Sequence, residues 1–195
     1  MNYKEEKPRC HWPNGKDLDT IYHDQEWGVP VHDDRKLFEF LVLDAFQAGL
    51  SWSTILAKRE NFRKAFDNFD PIIISRYTEE KVEELLQNAG IIRNRLKIQS
   101  TISNAVNFLD VQKEFGTFDR YIWQFTGGRT IVNTWKSMKE IPVSTSESDE
   151  MSKDLKKRGF KFVGTTICYA FMQAAGMVND HTINCFRYKE VMKIK

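Results

Sequence analysis

Apolar positions along the chain recur mostly at three- and four-residue spacing, the period of an α-helix that buries one face. Leu37, Phe38, Leu41, Ala45 and Ala48 keep that rhythm behind Asp33-Asp34 and predict a helix over 35–48. Gly49 ends it, and Ser51 is placed to cap a second helix from 52 to about 66. Asp70-Pro71 opens a short segment through Tyr77. Thr78 is placed to cap a helix over 79–88 with two acids in its first turn, where the helix dipole favours them. Beyond Gly90 a long pattern from about 94 to 113 predicts burial of Ile98, Ile102, Ala105, Val106 and Leu109. A short helix over 118–125 is stopped by Gly127-Gly128. Residues 146–149 fit a capping box whose helix Gly159 closes, and 165–175 is apolar nearly all round, as in a buried central helix. Period-two alternation is confined to 130–133 and 161–163. The fold expected is all-α, a single helical domain over 1–195.

Composition narrows the class of molecule. The chain of 195 residues carries 14 Phe and 5 Trp, too many aromatics for a disordered chain, and only 5 Pro and 10 Gly. No run approaches the 18 or so apolar residues of a membrane span. The start, residues 1–9, is polar and mixed in charge, so no signal peptide is expected. A formal charge of +2 excludes a polycationic arm and leaves room for a local basic face. Three cysteines without a secretory signal point to a reducing, cytoplasmic setting, where Cys serves as metal ligand, nucleophile or core filler.

The cysteines and histidines sit at the two ends. Cys10 and His23 lie near the start; His181 and Cys185 lie near the end, four positions apart, which on a helix puts them on one face. Two Cys and two His make a closed tetrahedral zinc set. Positions 23 and 181 are far apart in sequence, so such a site would join the terminal segments, and clips that close long loops restrict the unfolded chain most. The competing reading is two unrelated cysteines and two unrelated histidines. Cys168, among Ile167, Tyr169 and Phe171, reads as a small buried hydrophobe.

Two further groupings carry chemistry. Residues 85–98 read as a helix, a tight turn at Gly90, and a second helix carrying Arg93, Arg95 and Lys97. That helix-hairpin-helix arrangement suits a DNA phosphate, held by amides and cations without reading sequence; ordinary helix pairs also turn at Gly. The cluster Lys153, Lys156, Lys157, Arg158 and Lys161 reads as a solvated face. Trp12, Tyr22, Trp27 and Trp52 crowd near Asp44, a carboxylate in the middle of a mostly apolar helix. Aromatics with one acceptor make a pocket for a flat, preferably cationic, ring. The alternative is an aromatic core, with Asp44 turned outward or capping a turn.

Taken together, several stretches resemble the DNA-3-methyladenine glycosylase I family. They are Cys10-His11-Trp12, YHDQEWGVP from Tyr22, FQAGLSW from Phe46, KRENFR from Lys58, and Ala89-Gly90-Ile91-Ile92-Arg93. The run KKRGFKFVGTTICYAFMQ from Lys156 and Val178-Asn179-Asp180-His181 complete the series, which spans Cys10 to Cys185. The resemblance implies a helix-hairpin-helix glycosylase fold and one structural zinc ion on Cys10, His23, His181 and Cys185. It implies that Tyr22 and Trp52 hold the excised base with Trp12 at the same pocket, and that Leu50 probes the gap left by the flipped nucleotide. Gly90, Arg93 and Arg95 would face the DNA. The implied substrate is double-stranded alkylated DNA, from which a monomeric enzyme flips and hydrolytically releases 3-methyladenine. It would leave an abasic site and use no lysine nucleophile, so the strand stays uncut. Where the best-known members carry Glu, this chain has Asp44, shorter by one methylene, about 1.5 Å of reach.

Overall fold

Capping residues at the predicted boundaries set most of the helices. The computed structural model describes residues 7–13, 15 and 17–194; residues 1–6, most of the polar start, lie outside them. Asp33 accepts from the Lys36 amide and opens α2 (Asp34–Gln47). Ser51 accepts from the Thr54 amide and opens α3 (Trp52–Ala65). Asp70 caps α4 (Pro71–Ile74), with Pro71 at the first helical position, where its missing N–H costs nothing. Asn94 caps the longest helix, α6 (Arg95–Phe115). Between α4 and α6 runs α5 (Glu79–Gln87); Thr78 stands at its N-cap in an extended conformation, but its side chain makes no capping hydrogen bond there. After these come α7 (Phe118–Ile122), α8 (Ser146–Lys157) and α9 (Thr165–Ala174). Two helices went unpredicted, α1 (Asp17–Gln25) and α10 (Phe186–Val191). The first is largely polar and the second only 6 residues long, so neither shows a clear apolar stripe.

The result is a mostly helical single domain. α9 lies between α8 and α2, and α6 packs on α2, α4, α5 and α7, while α1 rests on α3. Their apolar faces meet in one core that includes Phe38, Phe46, Phe62, Phe66, Phe108, Phe118 and Phe171, with Cys168 buried inside it as expected. No helix among the described residues is long and apolar enough to cross a membrane.

Four local expectations are corrected. Ile98 and Ala105 are buried as predicted, but Val106 is exposed and Ile102 and Leu109 are half-buried; α6 buries Thr101, Phe108 and Val111 in their place, a stripe rotated toward its polar neighbours. The capping box begins one residue earlier than predicted: the Thr145 hydroxyl accepts from the Ser148 amide while Ser148 Oγ accepts from the Thr145 amide. Residues 161–163 form no strand, because the Asn104 side chain takes both the amide and the carbonyl of Lys161, at 2.8 and 3.0 Å. The other candidate is a strand, β1 (Ile131–Val132), and it pairs in parallel with β2 (Val178–Asn179), in register Ile131 to Val178. Finally, His181 and Cys185 lie in a turn ahead of α10 rather than on a helix, since β2 extends the chain up to Asn179.

Candidate active site and metal centre

Trp12, Tyr22, Trp27, Asp44 and Trp52 converge on one cavity of about 190 Å³. α1 supplies Tyr22, the turn after it supplies Trp27, α2 supplies Asp44 and the start of α3 supplies Trp52. Trp12 lies edge-on to Tyr22 and Trp27, with ring centres 6.2 and 5.4 Å apart. Tyr22 and Trp52 are 5.1 Å apart and tilted by 53°, so they form adjoining walls. A ring inserted between two parallel faces needs about 7 Å, two van der Waals contacts, so the two rings would have to part by about 2 Å to enclose one.

Asp44 faces inward rather than outward. It is 2% exposed and its Oδ2 has no hydrogen-bond partner. Burial pushes its carboxyl well above the usual carboxylate range, against a weaker opposing pull from the Arg59 guanidinium. Burial raises the Tyr22 phenol in the same way, with Asp44 adding to it. The indole N–H groups of Trp12 and Trp52 are also buried without partners. Two donors and one acceptor thus line an aromatic cavity with unmet hydrogen bonds, which is costly unless something flat and polar fills it.

Arg59 reaches this region through a buried ion network. Its guanidinium donates to Glu39 at 2.6 Å and to both oxygens of Glu26 at 2.8 and 2.9 Å. Lys36 and Arg63 also bind Glu39, at 3.4 and 2.7 Å. Burial alone would raise Glu26 and Glu39, but these cations hold both below the usual range.

Beside the cavity, Cys10, His23, His181 and Cys185 are all buried, and their ligand atoms lie within 4.8 Å of one another. Cys185 Sγ is 3.5 Å from His23 Nε2 and 3.5 Å from His181 Nδ1, and Cys10 Sγ is 3.7 Å from His181 Nδ1. Those separations match the edges of a tetrahedral sulfur–nitrogen set around a metal ion, about 3.5 Å. Both tautomers suit it. His23 Nδ1–H donates to the Asp24 carboxylate at 2.8 Å, and His181 Nε2–H donates to the Trp27 carbonyl at 2.9 Å. Each ring thereby turns its lone-pair nitrogen toward the thiols. The thiols repel a shared ionisation: hydrogen bonding between them holds Cys185 low and pushes Cys10 high. A cation among them would let both ionise, so the four residues fit a metal ion. Gly28 closes this group, since a Cβ there would stand 3.1 Å from His181 Nε2.

In the stretch read as a hairpin, α5 and α6 are joined through 88–94, and Arg93 lies ahead of α6 rather than on it. A Cβ on Gly90 would stand 2.9 Å from Asn88 Oδ1 and 3.2 Å from Asn61 Cβ, so close approach demands glycine there. Arg93 is exposed, and Arg95 is paired with Glu79 and Glu83. Lys97 departs from expectation. It is buried, and its ammonium donates to the Phe46 and Ala48 carbonyls at 2.8 and 2.7 Å, which removes it from any phosphate contact. Leu50 stands 40% exposed in the turn between α2 and α3. In the basic cluster, Arg158 is paired with Glu114 and Asp154.

Known proteins place this arrangement. The methyladenine glycosylase family model matches residues 12–188. The chain belongs to the DNA-3-methyladenine glycosylase I family. It is accordingly an enzyme, a hydrolase of N-glycosyl bonds. It is 52% identical to DNA-3-methyladenine glycosylase 1 of Escherichia coli (strain K12) over 180 residues, 92% of this chain and 96% of that one. A crystal structure of 3-methyladenine DNA glycosylase I superposes with a TM-score of 0.90 at 54% identity, covering 92% of this chain and 98% of the other. A variant of 3-methyladenine DNA glycosylase I in complex with 3-methyladenine superposes with a TM-score of 0.89 at 29% identity, covering 91% and 96%.

Some of the site was not foreseen. Gln47, Met138, Ala170, Gln173 and Ala174 also line the cavity. Gln47 lies one turn beyond Asp44 on α2, a spacing that could have flagged it. Gln173 is aimed by Asp180, whose carboxylate accepts from Gln173, Tyr169, Asn133 and Trp135 at 2.7–2.8 Å. Nothing in the local sequence signals that convergence.

Proposed function

We propose that this enzyme hydrolyses the bond between 3-methyladenine and deoxyribose in alkylated double-stranded DNA, as a monomer acting in base-excision repair. The observation that carries this reading is the unpartnered Asp44 carboxyl inside an aromatic cavity. Methylation at the ring nitrogen makes the base a cation, which aromatic faces attract and which weakens the glycosidic bond. The nucleotide is flipped into the cavity, packs against Tyr22 and Trp52 with Trp12 at its edge, and offers its exocyclic amine to Asp44. The cation and an ionised Asp44 stabilise each other, so base entry and loss of the Asp44 proton go together.

The bond from the sugar carbon to the base breaks with its electron pair moving into the ring, which neutralises the charge. Water bonds to that carbon and releases a proton, leaving an abasic site. Among the described residues, those lining the cavity include no lysine, which supports hydrolysis without strand cleavage. Leu50, exposed at its turn, fills the gap left in the duplex, and the hairpin over 85–98, with Gly90 and Arg93, rests on the phosphates. Arg95 exchanges its glutamate partners for phosphate when DNA binds. Cys10, His23, His181 and Cys185 hold a zinc ion whose role is structural, because four protein ligands leave no open position for a reactive water.

Incubation with methylated duplex DNA, followed by analysis of released bases, tests the reading. 3-Methyladenine should appear with the strand intact. DNA binding without base release would reduce the chain to a binding module and overturn it. Base release abolished by metal removal while the fold persists would overturn the structural assignment of zinc.

A further inference from the structure

Two lysines that a charge count would give to DNA are turned inward, and both join the hairpin to the segment carrying Leu50. The Lys97 ammonium, in the first turn of α6, donates to the Phe46 and Ala48 carbonyls. These belong to the last turn of α2, where carbonyls have no partner within the helix and the dipole favours a cation. On the other flank, Lys58 of α3 reaches the hairpin turn itself and donates to the Ala89 and Gly90 carbonyls at 3.0 and 3.3 Å. Asn61, one turn further along α3, adds a contact to the Gly90 carbonyl at 3.4 Å.

Between Ala48 and the start of α3 lie only Gly49, Leu50 and Ser51, and Lys58 stands in the second turn of that helix. Gly49 has φ +81°, a left-handed turn that glycine adopts without strain, and Ser51 is fixed as the α3 cap. The two ends of the Leu50 turn are therefore both fastened to one hairpin, from opposite sides. We infer that Lys97 and Lys58 are positioning residues that fix Leu50 relative to the hairpin, so that seating the hairpin on the backbone sets the depth and register at which Leu50 enters the duplex. Neither lysine touches DNA. The inference rests on the reading of Leu50 as the residue that fills the gap, and it gives a task to the KRENFR stretch that the base pocket leaves unused.

Single-turnover base release from methylated duplex DNA is measured for Leu50→Ala, Lys97→Met, Lys58→Met and the double variant Leu50→Ala/Lys97→Met. DNA affinity is measured across salt concentrations alongside. A displacement of 1 Å in a positioned group can cost about 100-fold, so Lys97→Met should slow release by roughly 10- to 100-fold. The dependence of log affinity on log salt should keep its slope, whereas a lost phosphate contact lowers it by about 1. The double variant should be no slower than the slower single variant, because a lysine that acts through Leu50 has nothing left to position. Affinity for free 3-methyladenine should stay as in the parent. Lys58 is half-buried, so Lys58→Met repeats the test should Lys97→Met fail to fold. A reduced salt slope, or losses that multiply in the double variant, would overturn the positioning role. Parental release by Leu50→Ala would instead overturn the reading of Leu50 on which it rests.

Discussion

Asp44→Asn should gain stability relative to the parent as pH rises from about 4, while disabling the enzyme. The side chain is 2% exposed, and burial holds its carboxyl protonated above the usual carboxylate range. In the unfolded chain the same group ionises near pH 4. Over every pH unit in which the unfolded form is ionised and the folded form is not, folding loses about 1.4 kcal/mol. Asparagine keeps the shape and removes that loss. It adds the cost of a buried amide, about 1–3 kcal/mol and independent of pH. The informative quantity is consequently the difference in unfolding free energy between variant and parent as pH changes. Urea unfolding from pH 3 to pH 8, extrapolated linearly to water, supplies it. The difference should shift in favour of the variant from about pH 4 upward, by up to about 1.4 kcal/mol per unit, and level off where Asp44 ionises in the folded protein. Base release should fall about 100-fold, the scale of removing one preorganised group from a reacting site. A difference that stays flat with pH would refute the reasoning, for it would mean that Asp44 ionises alike in both states.

Other consequences follow from neighbouring features. Gly176→Ala should be severely destabilising in thermal unfolding, since a Cβ there would lie 2.3–2.4 Å from the Val29 and Pro30 backbone, at φ +69°. Arg59→Met should cost about 1–3 kcal/mol by removing hydrogen bonds to Glu26 and Glu39 while Lys36 and Arg63 stay in place, and chemical denaturation would show it. Both acids are held low, so the stability they supply in the parent is present above their ordinary ionisation range and is lost as pH falls through their folded values; Arg59→Met should blunt that acid transition. Cys185→Ser should lower the thermal midpoint, and a chelator that lowers it in the parent should have little further effect on the variant. Trp52→Ala should reduce base release far more than helical circular dichroism; equal losses would return Trp52 to the core.

Local rules carried the helices because their signals are local. Asp33, Ser51, Asp70 and Asn94 cap within three residues of themselves, so their effects can be read without the fold. The parallel pair of β1 and β2 could not be, because it joins Ile131 to Val178 and each strand has only two residues. The apparent strand at 161–163 failed for the converse reason: Asn104, far away in sequence, claims its backbone. Within the site, the convergence of Trp12, Tyr22, Asp44 and Trp52 was legible through resemblance to a family, while residue types alone favoured an aromatic core. The destiny of each cation was illegible. Lys97, Arg95 and Arg93 look alike in sequence, yet one is buried against carbonyls, one is paired with glutamates and one is exposed, as burial and partners dictate.

The contact between the two ends of the chain bears on how the enzyme comes into being during synthesis. Trp12 and Tyr22, made early, are held through Cys10 and His23 against His181 and Cys185, and the Phe186 amide donates to the Pro8 carbonyl at 2.9 Å. A nascent chain that has not yet emerged to Cys185 lacks the partner that fixes those aromatics. Chains cut short before His181 and Cys185 would lack the partners that hold Trp12 and Tyr22 at the base cavity.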